Sequence, residues 1–322
     1  MRIHKHMLTA SLAALLLGAG LMSGPVLAAS HGGGKAKEQQ AAQQQNKAKE
    51  SAALKQARKQ AQAKAREKGA EQVQAEREKV FEEAVKALAE TRNAIVALNK
   101  KDGKAALDAL ARVIGQLEII LARDPKLALA PVDVITYVLD VHADVASVKK
   151  AVKQSIELLE KGRVQEARAI VSGLASEIVI EVTNIPLATY PDAIKAVVPL
   201  VEAKKFDEAK QALIAALNTM VITRHIIPLP VVRAEHLLAL AETLAEKKGR
   251  SKEEQKELND LLHAARQELK FAEALGYGKA EDFKPFYAEI DKIEAKVKGG
   301  GHGKGFFDEL KKALEKFRNK LF

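Results

Sequence analysis

The chain has 322 residues, no cysteine and no tryptophan, and 52 Lys+Arg against 42 Asp+Glu, a formal charge of +10. Without cysteine there is no disulfide scaffold, no thiolate zinc or iron–sulfur site, no cysteine nucleophile and no lipidated cysteine. The charge is uneven: residues 1–34 carry +2, 35–79 carry +6, 80–295 carry −3 and 296–322 carry +5. A uniformly basic chain would suggest a nucleic-acid footprint. An acidic middle between two basic arms suits an envelope surface better.

The first elements are an address and a stalk. Arg2 and Lys5 precede a small and apolar run over residues 8–22, Gly24-Pro25 breaks it, and Val26-Leu27-Ala28 supplies compact residues before Ala29. This pattern predicts a cleavable signal peptide over residues 1–28 and a periplasmic protein. Residues 29–79 are rich in Ala, Gln and Lys. Their helix propensity is high, but they lack an apolar stripe. The expectation is a solvated stalk, helical or disordered, interrupted near Gly69.

Residues 80–297 read as one helical domain. Val80, Phe81, Ala84, Val85, Leu88, Ile95 and Leu98 recur at helical spacing. Lys100-Lys101-Asp102-Gly103 ends that helix, a second runs over residues 105–121, and Asp124-Pro125 closes the hairpin. The layout returns at residues 148–159 with 164–182, and at residues 193–201 with 206–223. Repeated helix–turn–helix units predict stacked hairpins around a shared core, an all-α fold. Each second helix leads to an apolar exit containing proline: Leu129-Ala130-Pro131-Val132, Ile185-Pro186-Leu187 and Ile227-Pro228-Leu229. Hairpins stacked in register would bring all three exits to one end of the bundle. Thr183, Asn184, Tyr190, Arg224, His225, Arg233 and His236 cluster near two of them in sequence, and they form the candidate rim of a ligand pocket. The β-branched run over residues 178–183 is the one doubtful place for a helix. Further helices are expected over residues 252–275 and from Asp282 to about Val297.

Residues 298–305 are glycine-rich and read as a flexible linker. Beyond them, residues 306–322 form a basic amphipathic helix. Phe306, Phe307, Leu310, Leu314, Phe317 and Leu321 make its apolar stripe. Such a helix suits a membrane surface or a partner groove, or docks back on its own domain.

Chemistry is sparse. No HExxH, GxSxG, P-loop or dinucleotide-binding glycine pattern is present. His31 and His302 sit beside glycines, His142 and Asp144 are two apart, His263 stands alone, and His225 and His236 are eleven apart. No metal site, no cofactor and no enzymatic activity is expected. A half-buried His225 or His236 beside Arg224 or Arg233 would resist protonation, which makes acid a candidate trigger.

Three strings carry a resemblance: residues 117–133 (LEIILARDPKLALAPVD), 164–191 (VQEARAIVSGLASEIVIEVTNIPLATYP) and 216–233 (ALNTMVITRHIIPLPVVR). Together with Ala272-Glu273-Ala274-Leu275-Gly276-Tyr277-Gly278 and Tyr287, they resemble the YfdX family of exported bacterial proteins across roughly residues 76–296. The resemblance implies an all-α fold, the periplasm and an association with envelope or acid stress. It implies no reaction. The expected function is therefore non-enzymatic binding, of client proteins in a chaperone-like role or of small apolar ligands. The other reading is an envelope adaptor held to an anionic membrane surface by the basic ends. A homo-oligomer is expected, and nucleic acid is not an expected partner.

Overall fold

The computed structural model describes residues 51–321. The predicted signal peptide, His31 and the first part of the stalk lie outside the described residues. The chain is mainly helical, and one small sheet is built into the helical frame.

Helix α1 spans Ala52–Glu78, and the Ser51 hydroxyl caps it by accepting from the Leu54 N–H at 3.1 Å. It is continuous through Gly69 and it is docked, which corrects the expectation of a solvated stalk. Ala57, Ala61, Ala65, Gly69 and Val73 recur every four residues and are all buried. The stripe holds position through close backbone approach instead of bulky side chains. A Cβ on Gly69 would lie 2.1 Å from Ile178 Cδ1, so glycine is required where α1 crosses the sheet.

Helices α2 (Glu82–Asn99) and α3 (Gly103–Arg123) form the first hairpin. Strand β1 (Leu129–Asp140) follows, then α4 (Val145–Glu160), α5 (Val164–Val171), β2 (Ser176–Pro186), α6 (Tyr190–Lys195), α7 (Val198–Glu202), α8 (Phe206–Leu217) and β3 (Val221–Pro228). The second helices of the later hairpins are therefore shorter than periodicity suggested. They stop at Val171 and Leu217, and β-branched residues carry the chain on as strands. The three proline-bearing exits all lie on the strands of one antiparallel sheet, ordered β1-β2-β3. Leu129 pairs with Pro186, so the first two exits meet at one end. Pro228 pairs with Glu177, so the third lies at the opposite end. Antiparallel pairing thus overrides the expected common end.

Helices α9 (Leu229–Glu246), α10 (Lys252–Ala274), α11 (Ala280–Val297) and α12 (Asp308–Leu321) complete the chain. One core joins α1 to α9–α12, and a second joins α2, α3 and α6–α8. A third lies between one face of the sheet and α1 and α9, built from Ala65, Val73, Val134, Ile178, Ile180, Val182, Ile227, Leu229 and Val232.

The glycine-rich segment is anchored, contrary to the flexible-linker expectation. Arg250 Nη2 donates to the Gly301 carbonyl at 2.6 Å, and the Gly303 N–H donates to the Ala245 carbonyl at 3.2 Å. The stripe read as a membrane or partner face turns inward. Phe307, Leu310, Leu314 and Phe317 are buried in the first core, and Phe306 packs against it with Lys296 Nζ 5.0 Å from its ring centre. Leu321 lies outside the described side chains. Phe317 meets Phe283 and Phe286 edge-on at 5.1 and 5.4 Å. Burial of aromatic area over a short, anchored tether outweighs exposure to solvent.

Candidate functional site

The sheet has two unlike faces because side chains alternate along each strand. Ile178, Ile180 and Val182 point into the third core. The register places the other set side by side: Asp133, Ile135, Tyr137 and Leu139 on β1, Glu177, Val179, Glu181 and Thr183 on β2, and Ile222, Arg224 and Ile226 on β3. An antiparallel sheet that shows one face to water normally presents polar residues there. Here Ile222 is 60% exposed, Ile135 51%, Tyr137 40% and Leu139 38%.

A polar knot sits in the middle of that face. Glu181 Oε1 accepts from Arg224 Nε at 2.8 Å, from Arg224 Nη2 at 2.5 Å and from the Tyr137 hydroxyl at 3.1 Å. The hydrogen bond to Glu181 holds the Arg224 guanidinium above its ordinary range. Desolvation, followed by the bond to Glu181, raises the Tyr137 phenol. One charge-paired spot surrounded by apolar side chains gives a flat surface that orients a partner without reacting with it.

The edge beside this face is open as well. The Val141 N–H donates to the Ala175 carbonyl in register with the strand pairs. Alternation then directs the backbone N–H and C=O of Thr136 and Val138 away from β2. Nearer the start of the strand, the equivalent outward carbonyl of Pro131 accepts from the Phe81 N–H at 3.1 Å. Among the described residues no such backbone partner reaches Thr136 or Val138.

The seven residues proposed as a pocket rim separate into five places: the two faces of the sheet, the second core, and two sites on α9. Thr183 and Arg224 lie on the open face. Asn184, Thr223 and His225 lie on the other side of the same strands, where the Asn184 side chain donates to the Val182 and Val221 carbonyls at 2.8 and 3.1 Å. Tyr190 is fully buried in the second core, its hydroxyl 3.0 Å from Thr91 Oγ1.

Arg233 and His236 lie on α9, a helix that was not anticipated from the sequence. Arg233 joins a buried network at the far end of the sheet. Its Nη2 donates to Asp140 Oδ2 at 2.5 Å, and its Nη1 lies 3.8 Å from Glu268 Oε2. Ser176 Oγ donates to Asp140 Oδ1 at 2.6 Å, and the Ser176 N–H donates to the Tyr277 hydroxyl at 2.8 Å. Burial alone would raise Asp140, but Arg233 and Ser176 together hold it below the usual carboxylate range. Burial raises Glu268 despite Arg233 and Arg58.

His236 lines a groove of about 330 Å³ between α1 and α9 with Lys64, Glu67, Lys68, Glu71, Val232 and Glu235. Its Nε2 is buried without a hydrogen-bond partner. Burial, then Lys64, lowers its pKa. Glu235 is held by Lys68 at 2.7 Å and by Arg318 at 3.3 Å. Among the described residues no three His, Asp or Glu side chains are placed to hold a metal ion.

The open face was missed because its signal is period-two alternation spread over three strands that are distant in sequence. Ile135, Tyr137 and Leu139 did carry it locally.

The YfdX family model, described as YfdX protein, matches residues 87–225. A solved structure of YfdX from Salmonella Typhi aligns at a TM-score of 0.33 and 13% identity, over 47% of this chain and 93% of that one. No curated protein matches the chain. From α2 to the middle of β3, across residues 87–225, the chain is similar to the YfdX family.

Proposed function

We propose that this protein is an exported, non-enzymatic, stress-related binding protein that holds apolar segments of client proteins on the open face of its sheet. A small apolar ligand would use the same surface. The observation that carries the reading is the row of Ile135, Tyr137 and Leu139 along β1, with Ile222 across the sheet on β3, all more than a third exposed on one sheet face. Single exposed apolar residues are ordinary, but a contiguous set marks an interaction surface. The unpaired edge at Thr136 and Val138 adds a second mode of holding, because an extended segment can continue the sheet through main-chain hydrogen bonds. The Glu181–Arg224 pair keeps the face soluble when it is empty. Residues 1–28 supply the export signal, and the periplasm is the proposed location.

Aggregation of chemically reduced insulin, followed by light scattering, tests the reading. The wild-type chain should suppress scattering, and Ile135→Lys with Ile222→Lys should abolish suppression while leaving the melting transition intact. Full suppression by a folded double variant would refute the assignment of this face.

A further inference from the structure

Among the described residues, eight of the thirteen exposed large hydrophobic residues lie between positions 135 and 171. Four of them belong to the sheet. The others, Ile156, Leu159, Val164 and Val171, lie on the α4–α5 hairpin and are each 51–53% exposed. The hairpin is lightly held: its buried residues are Val148, Ser155 and Ala167.

Its charge is unlike its surroundings. Residues 145–171 contain Lys149, Lys150, Lys153, Lys161, Arg163 and Arg168 against Glu157, Glu160 and Glu166, a net +3 within a domain of −3. All six cations are exposed. Arg163 is paired with Glu166 at 2.5 Å, and among the described residues the other five form no ion pair.

Helical spacing sets charge and oil side by side. Lys149, Lys153 and Ile156 follow one another at i+4 and i+3, as do Val164, Arg168 and Val171. Each helix therefore presents an exposed flank that is apolar and cationic together, and Lys161 sits in the turn between them. Long cationic side chains beside apolar ones can rise to a layer of headgroups while the apolar ones sink below it.

We propose that the α4–α5 hairpin is a peripheral membrane contact that lays Ile156, Leu159, Val164 and Val171 into the headgroup–acyl boundary of an anionic bilayer. The unpaired cations select the occupant: a neutral apolar partner would satisfy the stripe and leave five charges facing it. No helix among the described residues is long and apolar enough to cross a membrane, so the contact lies on the surface. This surface is separate from the open sheet face and stands or falls without it.

The absence of tryptophan makes a clean probe. Leu159→Trp in the full chain would be the sole tryptophan, at an exposed position that tolerates it. With vesicles of phosphatidylglycerol, its emission should shift to the blue and be quenched by brominated lipid. Adding Lys149→Gln, Lys153→Gln and Arg168→Gln should weaken that partition roughly a hundredfold, about fivefold for each charge removed. Three results would overturn the proposal. The first is no shift with anionic vesicles. The second is an equal shift with phosphatidylcholine alone, or one untouched by the glutamine changes. The third is a blue shift without lipid that grows with protein concentration, which would mean that a second copy covers the stripe.

Discussion

The C-terminal helix and the α4–α5 hairpin carry the same kind of sequence: lysine-rich, amphipathic, with large apolar residues on one side. In α12 that side is spent inside the molecule, where Leu310 is 1% and Leu314 3% exposed. In the hairpin it stays outside. Amphipathic spacing says that a face needs a partner. What decides the partner is whether a complementary surface lies within reach. Gly278 leaves a gap that Phe317 fills, since a Cβ there would lie 2.9 Å from the Phe317 ring. Arg250 meanwhile holds Gly301 in place at the root of the helix. In the hairpin, Ile156, Leu159, Val164 and Val171 stay 51–53% exposed.

Breaking the buried side of this contrast should have the largest effect. Phe317→Ala removes the ring that Phe283 and Phe286 both touch, and should cost about 3–5 kcal/mol in chemical denaturation. A loss below about 1 kcal/mol would mean that α12 contributes little and that its docking is incidental. Gly69→Ala tests whether α1 is seated as firmly, because the new methyl would strike Ile178. Displacing it should cost about 1–3 kcal/mol. An unchanged denaturation midpoint would return α1 to the role of a solvated stalk.

Acid should loosen the α1–α9 groove more gently. His236 is held below its ordinary value by burial and by Lys64. As pH falls below about 6.5, the unfolded chain takes up this proton more readily than the folded one, so stability declines until the folded value is passed. His236→Gln should therefore show a smaller drop in denaturation midpoint between pH 7.5 and pH 5.5 than the wild type. The Asp140 and Glu268 carboxyls are common to both proteins, so the difference between the two drops belongs to His236. Equal drops would show that the ring is freely solvated. The smallest effect sharpens the exposed side of the contrast. Leu159→Ser, on the hairpin, should change stability by no more than about 0.5 kcal/mol. A loss of several kcal/mol would reveal a partner element already covering it.

Much of the helical frame is legible in the residues. Helices α2, α3, α4, α8, α10 and α11 follow from apolar spacing, turn glycines and helix-ending prolines. The sheet is less legible, because helical and strand periods overlap over short apolar runs. Residues 164–182 satisfy a helical pattern, yet Ser172-Gly173 interrupts it and the β-branched run that follows pairs with partners about forty residues away in both directions. That pairing is a tertiary fact with no local signature. Helix α1 was misjudged for a related reason: a stripe of alanines and one glycine carries almost no hydrophobic signal, but it permits very close packing. The residues grouped as a rim are near one another in sequence. Alternation along the strands sends Thr183 and Arg224 to one face and Asn184 and His225 to the other, and the same alternation gathers Ile135, Tyr137 and Ile222 from separate parts of the chain.

The open sheet face is, on this reading, the place where clients are held. Hydrogen–deuterium exchange of the full chain, with and without permanently unfolded, carboxymethylated α-lactalbumin, tests this most directly. The client should slow exchange in β1 from Ile135 to Asp140 and in β3 around Ile222 and Arg224, with α12 unchanged. Protection confined to α12 or to the α1–α9 groove, with the strands exchanging as before, would contradict it.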